Sequence, residues 1–155
     1  MMSLSTDEYF AAAMERTFYT EADLRAFAAQ FARLLRAGDV VALSGPLGSG
    51  KTAFIKAAVA ERLESDCVTS PTFTFWHRYG GDPPIDHLDF YRIESPREAE
   101  ELGIEGALAG ASILFVEWPE RAAHLLPEMC FAIDLEGKGN GPRTMRLRGP
   151  RELQL

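Results

Sequence analysis

Residues 39–63 have the sequence DVVALSGPLGSGKTAFIKAAVAERL, which divides into three parts of different character. The first is a short, valine-rich apolar run that is typical of a buried strand. The glycine-rich segment GPLGSG follows directly, and an alanine-rich segment with its apolar residues grouped on one side then predicts a helix. Phosphate-binding loops occur in this order of strand, glycine loop and helix.

The loop matches the pattern G-x-x-x-x-G-K-[ST], with its fixed positions at Gly45, Gly50, Lys51 and Thr52. The glycines let backbone N–H groups converge on nucleotide phosphates, aided by the positive end of the following helix. Lys51 is placed to reach the β- and γ-phosphates, and Thr52 to offer its hydroxyl to Mg²⁺. The alternative is a tight turn with a solvated lysine, which the flanking strand and helix argue against.

The chain has 155 residues and a net charge of −7. This length predicts one domain, over residues 1–155, with a substantial core. The negative charge disfavours indiscriminate binding to nucleic acid or anionic lipid. Because no apolar run is long enough to cross a membrane and the N-terminus is unlike a signal peptide, we expect a cytoplasmic protein with no membrane contact.

Cysteine and histidine residues give no metal-binding pattern. Cys67 and Cys130 are isolated, and we expect reduced, buried thiols rather than a disulfide or a pair of metal ligands. His77, His87 and His124 lack the spacing of metal ligands, which favours ordinary surface or packing roles.

Helix signals recur along the chain. The segment TEAD resembles a capping box that begins a helix at Thr20, and Gly38 is its expected end. Ser95 and Pro96 begin a further, short helix that Gly103 ends. The segment PERAAHLL predicts another short helix, and EYFAAAMER near the N-terminus is also compatible with one.

Strand signals complete an α/β pattern. FTFWHRY and IDHLDFY flank the turn GGDPP and predict a hairpin, and ASILFVEW predicts a buried strand. CFAIDLEG and RTMRLRG alternate across KGNG, which predicts an antiparallel pair at a sheet edge. We therefore expect a P-loop NTPase fold, with a mostly parallel central sheet, helices on both faces and an antiparallel C-terminal edge.

Carboxylates at strand ends are the candidate metal-site acids. Glu117 ends the run SILFVE, and a buried carboxylate without a partner is costly, so Mg²⁺ or its water shell is the natural partner. The alternative is that Glu117 is a surface residue at the end of a strand, where it would need no partner. Asp89, in HLDFYR, is the second candidate, with a simple ion pair to Arg92 as the alternative. Asp86 is a weaker choice because it alternates onto an apolar face of its strand.

Three further features admit two interpretations each. Thr72 lies in the proline-stiffened segment SPTFTF, where a threonine can reach a metal or a γ-phosphate, although position alone does not establish this. Trp118 belongs either to the core or to the wall of a nucleotide or partner site. A basic stripe predicts a solvated strand face, with contact to RNA or to an acidic partner as the alternative; its members are Arg143, Arg146, Arg148 and Arg151.

The segments GPLGSGKT, SPTFTF, HLDFYR and VEWPE, in this order and separation, resemble the TsaE (YjeE) family over roughly residues 16–133. The resemblance implies a small Mg²⁺-dependent ATPase needed for formation of N6-threonylcarbamoyladenosine in tRNAs that read ANN codons. It also implies action with the proteins TsaD and TsaB, whose complex turns over repeatedly when this ATPase binds and hydrolyses ATP.

Carried over onto this chain, the resemblance implies catalytic roles for Lys51, Asp89 and Glu117, with Thr52 joining the two acids at Mg²⁺. Nucleotide contacts are implied at Gly45, Pro46, Leu47, Gly48, Ser49, Gly50, Lys51, Thr52, Ala53, Thr72 and Trp118. Pro46 stands where the family often has an acid, and residues 1–15 lie outside the pattern. We expect a monomer when the chain is alone, and contact with tRNA only through the partner complex.

Two rival functions remain open. One is a small-molecule kinase, although 155 residues leave little room for an acceptor site and an arginine-bearing lid. The other is a binding module in which ATP only orders a docking surface. No arginine has the local context of an arginine finger, since Arg78 and Arg92 lie in strand-like segments. The sequence therefore predicts an ATPase that is slow alone and is stimulated by its partners.

Overall fold

The computed structural model describes residues 12–63 and 75–155. Its strands are β1 (Ala12–Phe18), β2 (Val40–Ser44), β3 (Trp76–Tyr79), β4 (Ile85–Asp89), β5 (Ile113–Glu117), β6 (Phe131–Glu136) and β7 (Arg143–Gly149). Its α-helices are α1 (Glu21–Arg33), α2 (Lys51–Leu63) and α3 (Pro96–Glu100). Single 3₁₀ turns lie at Ile104–Gly106, Pro119–Arg121 and Ala123–Leu125.

All seven strands form one sheet in the order β1-β7-β6-β2-β5-β4-β3. The central strands β6, β2, β5 and β4 are parallel, so their carboxyl ends meet along one edge of the sheet. Antiparallel pairing adds β7 and β1 on one side and β3 on the other. This arrangement confirms the predicted α/β fold class and places the loop after β2 at the shared edge.

Hydrophobic residues pack on both faces of the sheet. On one face, α1 and α2 bury Phe31 and Phe54 against sheet residues such as Phe115. On the other face, α3 and the 3₁₀ turns cover a second cluster that includes Phe90 and Val116. Burial of one such side chain stabilises the fold by about 1.5–3 kcal/mol. The alternation of Phe115 and Val116 between the two clusters explains why β5 is apolar up to its last residue, Glu117.

The N-terminal segment differs from its prediction. The part of EYFAAAMER that the structure describes belongs to strand β1 and not to a helix. β1 pairs with β7, with Glu15 opposite Arg146, and Phe18 packs against Phe27 with ring centres 5.3 Å apart. Pairing with an open sheet edge has outweighed the helical propensity of the alanines. The antiparallel pair formed by β6 and β7 is present as predicted, and β1 adds one strand outside it.

The start of α1 matches the prediction, but its end does not. The Thr20 hydroxyl accepts a hydrogen bond from the Asp23 N–H group at 3.1 Å and caps the helix. The helix ends at Arg33, five residues before Gly38. The carbonyl groups of Ala32, Leu34 and Leu35, at and just beyond this end, accept hydrogen bonds from Arg62 and Arg151, two side chains from distant segments. Such tertiary capping satisfies the end of the helix without a local glycine.

The remaining elements follow the sequence closely. β3 and β4 form the predicted hairpin, and Ser95 caps α3 by accepting a hydrogen bond from the Glu98 N–H group at 3.2 Å. The helix ends at Glu100, ahead of Gly103. PERAAHLL forms two 3₁₀ turns rather than one short helix. Cys130 is a free, half-buried thiol whose pKa is raised by burial, whereas Cys67 lies outside the described residues.

Candidate functional site

A cavity of about 520 Å³ lies at the edge where the parallel strands end. Five parts of the fold meet there: the loop after β2, the ends of β4 and β5, the start of α1, and the turn between β6 and β7. Its lining includes nine predicted site residues: Leu47, Gly48, Gly50, Lys51, Thr52, Ala53, Asp89, Glu117 and Trp118. Ligands of open α/β sheets bind outside the carboxyl ends of the strands, as this cavity would allow.

The glycines of the loop are required by its geometry. Gly45 has φ +144°, and a Cβ atom at this position would collide with the carbonyl oxygen of Leu135 and with Ser49 Oγ. Gly50 has φ +106°, and an added Cβ atom would lie 2.9 Å from Leu24 Cδ2. Side chains other than glycine rarely adopt these φ values, so the glycines maintain a curled loop directly before α2.

Lys51 is buried within this loop. Its Nζ donates hydrogen bonds to the carbonyl oxygens of Gly45, at 2.5 Å, and Pro46, at 2.9 Å. The same Nζ lies 4.3 Å from the centre of the Trp118 ring. Burial lowers the pKa of Lys51, and the negative charge of Glu117 opposes this shift. Because its partners are neutral carbonyls and an aromatic face, the desolvated ammonium is well suited to bind an anion.

Glu117 holds two short contacts although only 2% of its surface is exposed. Its Oε1 accepts a hydrogen bond from the Thr52 hydroxyl at 2.7 Å, and its Oε2 lies 2.9 Å from His87 Nε2. Burial alone would raise the pKa of Glu117, but the contacts with His87 and Thr52 and the charge of Lys51 lower it. Glu117 is thus a buried, ionised carboxylate, and the alternative of a solvated residue at a strand end is excluded.

Asp89 lies opposite Glu117 in the register of β4 and β5. Its Oδ1 accepts a hydrogen bond from the Tyr91 N–H group at 3.0 Å. Burial and the charge of Glu117 raise the pKa of Asp89, which the Tyr91 N–H group partly opposes. Within residues 12–63 and 75–155, no ion pair joins Asp89 to Arg92. The carboxylate therefore lines the cavity without a cationic partner in its own sheet.

Asp86, the weaker candidate, has a structural role. Its carboxylate accepts two hydrogen bonds from the Arg78 guanidinium, each 2.8 Å long, and one from Trp76 Nε1 at 2.9 Å. It is fully buried on the face of the sheet away from the cavity. A carboxylate saturated in this way is not available to a ligand.

Trp118 forms part of the cavity wall. Its ring is tilted against that of Tyr91, with 5.1 Å between the ring centres. The backbone of Trp118 has φ +57°, an uncommon value for a residue with a side chain. This left-handed conformation directly follows Glu117, and the indole contacts Lys51. The indole therefore lines the cavity and also packs, partly buried, against the second hydrophobic cluster, so its position combines the two interpretations that the sequence offers.

Arg143 is a site residue that sequence reasoning missed. Its guanidinium donates to the carbonyl oxygens of Ser49, at 2.9 Å, and Gly48, at 3.0 Å, in the loop. It also donates to Gly141, at 2.7 Å, and Gly139, at 2.8 Å, in the turn between β6 and β7. The predicted solvated strand face is wrong for this residue. No local pattern indicates the contact with the loop, because the carbonyl groups of Ser49 and Gly48 lie more than 90 residues away in the sequence.

The other predicted residues have simpler positions. Gly45 and Pro46 present carbonyl groups to Lys51, and the Ser49 side chain is buried behind the loop. Thr72 lies outside the described residues. Arg151 pairs with Asp39 at 2.7 Å instead of forming part of an exposed stripe.

The donor groups in the cavity fit magnesium bound to a nucleotide. Mg²⁺ prefers oxygen ligands, and the Thr52 hydroxyl and the carboxylates of Asp89 and Glu117 supply three at the end of the loop. Among the residues that the structure describes, no group of three or more His, Cys, Asp or Glu side chains forms a complete metal site. In the same parts of the chain, no helix is long and apolar enough to span a membrane.

Comparisons with known proteins point to one family. A family model described as "Threonylcarbamoyl adenosine biosynthesis protein TsaE" matches residues 18–145. The tRNA threonylcarbamoyladenosine biosynthesis protein TsaE of Treponema pallidum is 36% identical over 113 residues, covering 73% of this chain and 84% of that protein. The protein of the same name from Bacillus subtilis is 34% identical over 124 residues, which cover 79% of this chain and 77% of that protein. The crystal structure of YdiB from Bacillus subtilis superposes with a TM-score of 0.74 at 26% sequence identity. The superposition covers 89% of this chain and 86% of YdiB.

Proposed function

Because the chain belongs to the TsaE family of threonylcarbamoyl adenosine biosynthesis proteins, we propose that it is the Mg²⁺-dependent ATPase of this tRNA modification. In this proposal it acts in the cytoplasm with the TsaB–TsaD complex and allows that complex repeated turnovers on tRNAs reading ANN codons. The observation that carries the proposal is the buried pairing of Thr52 with Glu117 at 2.7 Å, beside Lys51 in the glycine loop.

The loop and Lys51 would bind the phosphates. Two loop carbonyls and the Trp118 ring hold the ammonium of Lys51 next to the N-terminus of α2, a helix of 13 residues. Phosphate oxygens would replace those carbonyls as acceptors, and hydrogen bonds to charged groups contribute about 1.5–3 kcal/mol each. The positive end of the helix dipole favours the same negative charge.

Thr52, Glu117 and Asp89 would hold Mg²⁺. When bound, the ion would neutralise charge on the β- and γ-phosphates and fix their orientation. The contact of Glu117 with Thr52 favours this acid on the metal side. Besides contributing to Mg²⁺ binding, Asp89, whose pKa is raised by burial, would accept a hydrogen bond from the attacking water.

Partner dependence is supported by the position of Arg143. Among the described residues it is the arginine that lines the cavity, and its donors are engaged by loop and turn carbonyls. An arginine finger supplied by a partner accelerates such hydrolysis by about 10³–10⁵. We therefore expect the isolated chain to hydrolyse ATP slowly and the TsaB–TsaD complex to stimulate it.

The decisive experiment measures ATP binding and phosphate release with Mg²⁺, with and without the TsaB–TsaD complex. Lys51→Ala should abolish hydrolysis, whereas Lys56→Ala, on the same helix but outside the cavity lining, should behave as wild type. Equal hydrolysis by Lys51→Ala and wild type would overturn the proposed site. Phosphate transfer to an acceptor instead of water would indicate a kinase, and ATP binding without hydrolysis in the complex would indicate a passive binding module.

A further inference from the structure

His87 is a buried polar residue that the proposed mechanism leaves without a role. It lies on β4, two residues before Asp89, and only 1% of its surface is exposed. Its Nε2 lies 2.9 Å from Glu117 Oε2. Its Nδ1 is buried and has no hydrogen-bond partner within the described residues. One side of the imidazole therefore contacts the candidate metal-site acid, and the other side faces the interior.

The direction of this hydrogen bond follows from the chemistry of the two groups. An ionised carboxylate only accepts hydrogen bonds, so Nε2 must carry the proton. Among the described residues Nδ1 has no hydrogen-bond partner, so the contact of the imidazole with Glu117 runs through the Nε2–H group. The two oxygens of Glu117 are then held from opposite sides, Oε2 by His87 and Oε1 by Thr52.

We propose that His87 is a positioning residue that fixes the carboxylate of Glu117 against the Thr52 hydroxyl. This inference rests on the proposed function, because its consequence is a carboxylate oriented for Mg²⁺ at the nucleotide. Without the Nε2 donor, a buried carboxylate loses one of its two direct partners and is free to rotate away from Thr52. Hydrogen bonds of this kind to metal ligands typically change metal affinity by about 10- to 100-fold.

A purely structural role for His87 makes a different prediction. Its strand neighbours across the sheet are Phe115 and His77, and the nearby core is apolar. If only volume mattered, leucine would replace the imidazole without functional loss. Glutamine carries an amide nitrogen close to the position of Nε2 and retains the donor, whereas leucine cannot donate.

The test compares His87→Gln and His87→Leu, with His124→Gln as a control in a half-exposed histidine away from the cavity. Titration calorimetry would measure ATP affinity with Mg²⁺ and with a chelator, so that the affinity gained from Mg²⁺ is obtained separately. We expect His87→Leu to lose about 10-fold or more of this gain with little change in Mg²⁺-free affinity. His87→Gln should retain most of the gain, and His124→Gln all of it. If Mg²⁺ increased the ATP affinity of His87→Leu as much as that of the wild type, the proposal would be overturned.

A second measurement on the nucleotide-free protein keeps the inference separate from the proposed function. ¹⁵N NMR of the His87 imidazole should show a proton on Nε2, with a shift that Glu117→Gln changes. A proton on Nδ1 alone would overturn the proposal whatever the ATP result. If the wild type bound no ATP, the proposed function and the magnesium role would fall together, while the imidazole spectrum would still decide whether His87 holds Glu117.

Discussion

Asp86 and Glu117 are both buried carboxylates on neighbouring strands, with 0% and 2% of their surfaces exposed. They lie on opposite faces of the sheet and have opposite kinds of partner. Asp86 accepts two hydrogen bonds from the Arg78 guanidinium, whereas Glu117 contacts a hydroxyl and an imidazole. A carboxylate paired with a guanidinium is neutralised within the fold, while one held by a hydroxyl and an imidazole can still bind a cation. The partner, and not the degree of burial, distinguishes the structural acid Asp86 from Glu117, the acid proposed for the metal site.

The largest expected effect is on turnover when a functional acid loses its charge. Glu117→Gln keeps the shape of the side chain but removes the charge next to Thr52, and we expect ATP turnover to fall by about 100-fold or more. Asp89→Asn should also lose turnover. Nucleotide affinity should change less, because the glycine loop still binds the phosphates. Phosphate release measured with the TsaB–TsaD complex, alongside ATP binding, tests this, and normal turnover in both variants would place the chemistry elsewhere.

The structural acid should show the reverse pattern. Asp86→Asn leaves Arg78 and Trp76 with a weaker acceptor, and we expect the free energy of unfolding to fall by about 1–3 kcal/mol. The lower end of this range is favoured because the Arg78 side chain is 51% exposed and solvent screens its charge. Turnover of the folded protein should stay near that of wild type. Urea unfolding together with an activity assay would separate the two effects, and a large loss of turnover at unchanged stability would break the comparison.

Acid should weaken the contribution of both buried carboxylates. Burial alone would raise the pKa of Asp86, but the hydrogen bonds from Arg78 and Trp76 outweigh it, so folding lowers this pKa. Folding also lowers the pKa of Glu117. Their stabilisation is therefore present above the unfolded pKa values, 3.8 and 4.5, and is lost as the pH falls through the lower folded values. Thermal unfolding between about pH 6 and 2 should show a steeper loss for wild type than for Asp86→Asn. If wild type and Asp86→Asn lost stability equally as the pH fell, the assigned pairing of Asp86 with Arg78 would be contradicted.

The smallest expected change is a gain in stability. Burial and the charge of Glu117 raise the pKa of Asp89 above its unfolded value, so its ionised form destabilises the fold at neutral pH. Asp89→Asn should therefore be slightly more stable than wild type at pH 7, and the difference should shrink as the pH falls and Asp89 becomes protonated. Chemical unfolding at pH 7 and at pH 4 measures this. Such a gain in stability, combined with lost turnover, is typical of a functional site.

Local sequence order was sufficient to predict the glycine loop, α2 and the acids at the ends of β4 and β5. In this fold the parallel strands end along one edge, so a strand-terminal acid and the loop necessarily come together. The outcome for Glu117 shows how specific this inference is, since its carboxylate contacts Thr52 at 2.7 Å.

The missed features depend on pairing between distant segments. β1 was not recognised because its strand character comes from the edge of β7 and not from its own alanine-rich sequence. Arg143 follows the alternation of an edge strand, and nothing local indicates that its guanidinium contacts the loop. His87 lacked any metal-ligand spacing, so its contact with Glu117 required knowledge of the register between β4 and β5.

The contact between Lys51 and Trp118 gives the molecule an internal optical reporter. An ammonium 4.3 Å from the indole centre imposes a strong local electric field on the chromophore. If phosphate oxygens draw Lys51 away from the loop carbonyls, as the proposed function requires, the wavelength and intensity of Trp118 emission should change. The sequence contains two tryptophans, and Trp76→Phe would leave Trp118 as the single emitter. Ligand occupancy is then readable from the unlabelled chain, in real time, without following product formation.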